Sequence, residues 1–338
     1  VKVLLVTDLH LTDPALRPQD EYRWKVFDWI REVIHEHGIG EVFVLGDITD
    51  RKDNHSALLT NMVVEEFCWL SAEVPVRILT GNHDYLVAGQ PFFGFLRNMP
   101  RIKWYDDIAQ LEIGGRTCLF IPHRHGDTSE HIRGAIEVCP DSEVVFMHHT
   151  VSGSILSNGR SIGTTKLSAE LADVPIYSGD VHMPQQVGDV TYVGTPYPVH
   201  FGDDYTGRAL ILDFDRDLSQ YEKVRMDTIR KFTASILSPL DLHAYHLQEG
   251  DQVKVRLEVP RHLVGEWDEM RQECHEICRD YGAELASVEM DPVAAEEGQT
   301  RELEAARVDL SADEAFDSFV ESEDLEERIV TAGRSLME

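Results

Sequence analysis

Five short segments of this chain carry side chains that bind divalent cations. Asp8 and His10 lie two apart after an apolar run. On an extended chain both project to one face, a carboxylate and an imidazole aimed at one point. Gly46-Asp47 follows a second such run; glycine lets the backbone pass close to a site, and the two oxygens of Asp47 suffice to touch two cations. Asp50, three residues on, reads as a turn or supporting acid. Gly81-Asn82-His83-Asp84 is the most specific signal, a tetrapeptide expected by chance in about one of a thousand chains this long. His148-His149 and Asp180-Val181-His182 complete the series, with His149 read as a neighbour pointing away from His148. Carboxylate, imidazole and amide donors together suit Mn²⁺, Fe or Zn²⁺ better than a thiolate site or an oxygen-only Ca²⁺ cage.

Each segment follows a run that reads as a strand. Residues 2–8 and 41–47 are nearly continuous apolar runs ending in an acid, as parallel strands buried on both faces are. Between them Tyr22, Val26, Trp29, Ile30, Val33 and Ile34 recur at helical spacing before Gly38, a helix stop. A second helix fits 56–70, and strands fit 76–80, 117–121, 144–147, 176–178, 191–193 and 209–214. In open α/β sheets ligands gather beyond the carboxyl ends of the strands, so these distant segments are expected to converge on one pocket. Trp24, Trp29 and Trp69 fall on apolar helical faces and are expected in the core. After about Arg230 the texture changes: 232–237 and 253–259 alternate like strands, 263–281 is helical and 284–290 is strand-like again. This predicts an α/β domain over 1–228, a small α+β domain over 229–290, and an acidic linker with a helical tail over 291–338. In that tail Ser311 and Glu314 have capping-box spacing, and Phe316, Phe319 and Val320, then Leu325, Ile329 and Val330, recur at helical intervals.

The ordered set Asp8-x-His10, Gly46-Asp47, Gly81-Asn82-His83-Asp84, His148 and Gly179-x-x-His182 resembles the calcineurin-like metallophosphoesterase superfamily over about residues 1–215. Tyr192-Val193-Gly194-Thr195-Pro196-Tyr197-Pro198, followed by Phe201-Gly202-Asp203, resembles the segment after the last metal motif of SbcD-type DNA nucleases. The resemblance implies an α/β fold, a layered β-sandwich flanked by helices, with the α+β segment as a DNA-facing cap. It implies two Mn²⁺, with Mg²⁺, Fe or Zn²⁺ as substitutes. Asp8, His10, Asp47 and His182 would hold one metal, with Asp47 shared, and Asn82, His148 and Asp180 would complete the other. It implies that His83, with Asn82 and Asp47 as the other catalytic residues, stands beside the scissile phosphate and either protonates the leaving oxygen or stabilises its charge. Two cations about 3.5–4 Å apart lower the pKa of a water between them and neutralise charge during in-line attack. The pattern departs at one position, because the family has Gly-His-x-His where this chain has Asp180. Asp is shorter and adds negative charge, so the second metal is displaced, weakened or held through water, and full activity is in question.

The chain has 31 basic and 61 acidic residues, a net charge of -30, which argues against coating nucleic acid by bulk attraction. A phosphate must then be met locally, and Arg51, Lys52, His123 and Arg124 are the candidates for DNA contact. At 338 residues two domains are expected, and the apolar runs fall far short of the ~20 residues of a membrane span. With no leader-like opening and five scattered cysteines, a cytoplasmic protein with reduced thiols is expected. The leading expectation, resting on the resemblance, is a DNA exonuclease and endonuclease of an SbcCD-like repair and recombination complex. It would act as a homodimer beside an SbcC-like SMC-type ATPase on which the tail helices dock. A small-substrate phosphatase or cyclic-nucleotide phosphodiesterase shares the same metal core, and a scaffold weakened by Asp180 is the non-enzymatic alternative.

Overall fold

Alternation along apolar strands builds two stacked sheets. The computed structural model describes residues 1–126, 128–156, 159–162, 167–203 and 205–292. The expected tail helices lie outside the described residues. The elements in order are β1 (Lys2–Val6), α1 (Lys25–His37), β2 (Glu41–Val44), α2 (Ala57–Glu73), β3 (Val76–Leu79), β4 (Ile102–Tyr105), β5 (Ala109–Ile113) and β6 (Arg116–Ile121). Next come α3 (Ser129–Val138), β7 (Val144–His148), β8 (Ile176–Gly179), β9 (Gln185–Val187), β10 (Val190–Tyr192), β11 (Ala209–Asp213) and β12 (Glu222–Val224). The chain then forms β13 (Lys231–Ile236), β14 (Gln252–Val259), α4 (Trp267–Asp280) and β15 (Glu284–Pro292). Its described residues divide into two compact units, Val1–Leu257 with Asp268–Glu289, and Glu258–Trp267 with residues 290–292.

The first sheet has the order β12-β11-β1-β2-β3-β4, and β1 to β4 run parallel. The second has the order β5-β6-β7-β8-β10-β9, with β6, β7, β8 and β10 parallel. Period-two alternation divides the apolar side chains between layers. Leu4 and Val6 of β1 join Val26, Phe27 and Ile30 of α1 and Val63 and Phe67 of α2, whereas Val3 and Leu5 pack between the sheets with Phe120 and Phe146. Phe43 anchors that inter-sheet layer, its ring 5.0 Å from Phe146 and 5.4 Å from Phe120; such pairs add about 0.5–1.5 kcal/mol each beyond area burial. On the far side of the second sheet, Ile132 and Ala135 of α3 cover Leu119, Ile121, Val145 and Met147.

α1 buries its Val26, Phe27, Ile30, Val33 and Ile34 stripe and stops at Gly38, a left-handed cap whose N–H bonds Ile34. α2 starts where the Ser56 hydroxyl accepts the N–H of Leu59. Trp69 on α2 departs from expectation: it is 61% exposed. Apolar residues surround this helix, so spacing does not select a face, and Leu59, Val63, Phe67 and Leu70 take the core. Trp24 is buried and Trp29 packs against the core as expected. Edge strands β4, β5, β9 and β12 escape a reading based on apolar runs because each is partly exposed.

The α+β segment forms a third sheet, β13-β14-β15, with β13 and β14 parallel. Cys274 and Cys278 are buried free thiols on α4. Lys231 at the start of β13 reaches Asp20 at 3.2 Å, and the Gln252 amide donates to the Gln19 carbonyl.

Candidate metal centre

The parallel strands of both sheets deliver their carboxyl ends to one place, and the loops beyond them are fastened together. Asp8 N–H donates to Gly46 O (3.0 Å), His10 N–H to Asp47 O (3.0 Å) and Leu11 N–H to Ile48 O (2.9 Å), so the loops after β1 and β2 run side by side. Asp8, His10, Asp47 and Asp180 have φ of 52°, 43°, 58° and 79°. Such left-handed non-glycine residues are uncommon and concentrate at functional sites. Strand alternation is therefore not what pairs Asp8 with His10: β1 has ended at Val6, and two left-handed residues aim the side chains.

Glycine is required for space at three positions beside the donors, among them Gly81, where a Cβ would lie 2.2 Å from Asp47 Oδ1. A Cβ on Gly46, itself at φ 96°, would lie 2.5 Å from His148 Nδ1, and one on Gly179 would lie 2.2 Å from Thr7 Oγ1 and 2.6 Å from Leu45 O. Beneath the centre, the buried Asp84 carboxylate accepts the N–H groups of Gly81 (2.6 Å), Asp47 (3.0 Å) and Ile48 (3.0 Å), which ties the β2 and β3 loops together.

The donors fall into two sets. In the first, His10 Nε2 lies 3.0 Å from His182 Nε2, 3.7 Å from Asp47 Oδ2 and 3.9 Å from Asp8 Oδ1. In the second, His148 Nε2 lies 2.9 Å from Asn82 Oδ1, 3.5 Å from Asp47 Oδ1 and 3.9 Å from Asp180 Oδ1. Asp47 thus lies between the sets, with Oδ2 near both His10 and Asn82 and Oδ1 near His148. His148 Nδ1 donates to Leu45 O (2.6 Å), so when the ring is neutral its Nε2 lone pair faces oxygens. Asn82 Oδ1 likewise faces only acceptors, with Asp47 Oδ2 at 3.0 Å and Asp180 Oδ1 at 3.2 Å. A hydrogen-bond network would turn that amide round; a cation among the four groups stabilises it as it stands. Ligands on one ion at about 2.1 Å sit roughly 3 Å apart in octahedral geometry, which matches the shorter separations. The residues fit divalent cations.

Electrostatics agree with the donor chemistry. Burial, with Asp47 close by, pushes Asp8 up to about 6. Burial also works against charge on Asp47, but His148, His10 and His83 outweigh it and hold this carboxyl well below its usual range. Burial opposes a proton on His148 too, yet Asp47, Asp8 and Asp180 raise it well above an ordinary imidazole. A buried cluster that draws protons in this way is short of positive charge, which a divalent cation supplies.

His83 stands at the edge of the first set, its ring 4.8 Å from that of His10. Its N–H donates to Asp47 Oδ1 (2.7 Å) and its Nδ1 to Asp50 O (2.6 Å), so the backbone of Asp50 orients it while the Asp50 carboxylate pairs with Arg17. The structure brings together Asp8, His10, Asp47, Asn82, His83, His148, Asp180 and His182. Of the four candidate DNA contacts, Arg51 is exposed, Lys52 is half-buried, and Arg124 is paired with Asp107 (2.9 Å). His123 stacks on His149 and is pushed down to about 3, first by burial and then by His148, so it is neutral near pH 7. His149 is buried and bonds Pro122 O rather than the cation donors.

Three supporting residues were given no role from sequence. Asp84 sits inside the quoted tetrapeptide, where its position was the available signal. Asp203 lies within the Phe201-Gly202-Asp203 segment; its carboxylate accepts the N–H groups of Val199 and His200 and lies 3.9 Å from His182 Nδ1. Arg23, buried on the helical turn before α1, donates to His10 O (2.6 Å) and Val199 O (3.1 Å) and pairs with Asp20 at 3.3 Å; no sequence pattern marks it.

The solved structures that match this chain are distant in sequence. An archaeal phosphodiesterase is 16% identical with a TM-score of 0.37, over 67% of this chain and 100% of its own. A protein of unknown function from Aquifex aeolicus is 17% identical with a TM-score of 0.27, over 44% and 79%. A Thermotoga maritima protein is 13% identical with a TM-score of 0.27, over 67% and 99%. No curated protein is significantly similar to the chain. The model of the calcineurin-like phosphoesterase family matches residues 1–219, more than half of the sequence and every cation donor described above, and the chain belongs to that family.

Proposed function

We propose that this phosphoesterase is a DNA phosphodiesterase, an exonuclease and endonuclease that serves as the nuclease subunit of an SbcCD-like complex in DNA repair and recombination. The observation that carries the phosphodiester chemistry is Asp47, whose carboxylate lies between two donor sets, each drawn from both sheets, with Oδ2 3.7 Å from His10 Nε2 and Oδ1 3.5 Å from His148 Nε2. Asp8, His10, Asp47 and His182 would hold one cation and Asn82, His148, Asp47 and Asp180 the other, with Mn²⁺ the proposed metal. When bound, such a pair supplies Lewis-acid stabilisation of phosphoryl charge and a nucleophile at neutral pH. The chain's own contribution is position and proton control. Because Asp50 O can only accept, His83 Nδ1 carries a hydrogen, and Nε2 is the atom left to meet substrate. In the imidazolium form Nε2 donates a proton or a hydrogen bond to the leaving oxygen; in the neutral form it accepts. Asn82 and Asp47 hold the adjoining donors in place through the loop that Asp84 fastens.

DNA as substrate is supported by the Tyr192–Asp203 sequence segment and by the α+β segment beyond residue 230, which a small-ester enzyme does not require. A homodimer and an SbcC-like ATPase partner belong to the same proposal, with the region after Met290 as the docking segment.

The deciding assay incubates the purified chain and Mn²⁺ with labelled linear duplex, single-stranded DNA and bis(p-nitrophenyl) phosphate. DNA cleavage is expected. Cleavage of the small ester alone would leave a small-substrate phosphodiesterase. Truncation after Met290 should spare the small ester and abolish co-purification with the ATPase; a large fall in Tm with the partner retained would refute docking.

A further inference from the structure

We infer that Asp180 makes the second half of the metal centre a harder, oxygen-rich site, so that the two halves differ in metal preference. The inference rests on the two-metal reading above. The first donor set contains two imidazoles, His10 and His182, with the carboxylates of Asp8 and Asp47. The second contains a single imidazole, His148, with oxygens from Asn82, Asp47 and Asp180. Hard cations such as Mn²⁺ and Mg²⁺ favour oxygen donors, and each imidazole replaced by a carboxylate moves a site away from Zn²⁺.

The geometry gives Asp180 this role despite its short side chain. Its left-handed backbone, φ 79°, turns it inward from the end of β8. Its N–H donates toward the Asp8 carboxylate at 3.3 Å from either oxygen, so the backbone is fixed to the first donor set while the side chain faces the second. Thr150 Oγ1 donates to Asp180 Oδ2, which commits that oxygen and leaves Oδ1 3.2 Å from the Asn82 amide and 3.9 Å from His148 Nε2. The carboxylate thus offers one oriented oxygen, and Thr150 is the residue that positions it. The side chain is 21% exposed, so water reaches this half of the centre, as it reaches the other at His182, 17% exposed. Mn²⁺ and Mg²⁺ retain waters more readily than Zn²⁺ does in a closed tetrahedral site.

Absolute affinity favours Zn²⁺ over Mn²⁺ at almost any such site, so the informative quantity is the Zn²⁺-to-Mn²⁺ affinity ratio of each half. It is measured by calorimetric titration of the metal-free full chain with each metal alone, and by metal content after dialysis against an equimolar mixture. The parent should bind two cations with ratios that differ between sites. Asp180→His should raise the ratio of the lower-ratio site about tenfold or more and leave the other unchanged, and Asp180→Asn should weaken Mn²⁺ there without raising that ratio. Equal ratios at the two sites of the parent, or a ratio moved less than about twofold by Asp180→His with two metals still bound, overturn the inference. A parent that binds fewer than two cations overturns the two-metal reading itself, a result distinguished by stoichiometry rather than by ratio.

Discussion

Asp47 and Arg51 lie four residues apart on one loop and belong to different kinds of structure. Asp47 is buried, its backbone held by His10 and Asp84 and its oxygens turned to two donor sets. Arg51 is exposed, and its carbonyl rather than its guanidinium is what the fold uses, accepting from Thr49 and His55. The same contrast runs around the whole centre: a floor of fixed short side chains and a rim of long ones in water. Cation binding tolerates only small errors in donor position, so the floor is written in short motifs with glycines beside them. Recognition by exposed arginine and lysine tolerates wide sampling, and it leaves no comparable pattern.

The contrast can be broken from the floor. Asp47→Ala should give the largest effect, loss of both cations and of hydrolysis, read by metal content and by turnover of bis(p-nitrophenyl) phosphate. Two metals retained would show that its carboxylate does not link the sets. His83→Ala should lower turnover by about 10²–10⁴-fold while metal content stays at the parent level; coupled loss of metal would move His83 into the floor. Asp84→Ala strands three N–H groups at about 1–3 kcal/mol for each buried unsatisfied donor, so a clear fall in Tm together with weaker Mn²⁺ binding is expected. An unchanged Tm would mean that the loops are fastened some other way. The smallest effects belong to the rim. Arg51→Ala should leave the small ester unaffected and raise KM for DNA a few-fold, whereas Arg124→Ala, already paired with Asp107, should change neither. A large loss on the small ester from either variant would erase the division between floor and rim.

How much of this was legible without coordinates follows the same line. The donors converge because they sit after parallel strands, and apolar runs ending in Asp, Asn or His make that placement visible in sequence. The means of aiming them was not visible. Left-handed φ at Asp8, His10 and Asp47 accompanies loop-to-loop hydrogen bonds between segments nearly forty residues apart, and at Asp180 a bond to Asp8 across 172 residues, which no local window contains. Supporting groups divide similarly. Asp84 lies inside a motif, whereas Arg23 acts from a helical turn whose sequence shows only ordinary amphipathic spacing. Trp69 marks the limit of periodicity itself, since a helix apolar on all sides does not announce which face it buries.

The buried ions under His10 have a mechanical consequence. Lys231 of the α+β segment and Arg23 of the phosphoesterase body share one oxygen of Asp20, and Arg23 in turn holds the carbonyl of His10. Separating Lys231 from Asp20 would break a buried ion pair and leave Asp20 to Arg23 and Arg17. The α+β segment is therefore tethered at this end: a load pulling on β13 is transmitted through Lys231, Asp20 and Arg23 to the backbone of His10. Compliance must come from elsewhere in the segment, and a pull through the linkage would be felt at the backbone carbonyl of His10, on the loop that carries its imidazole.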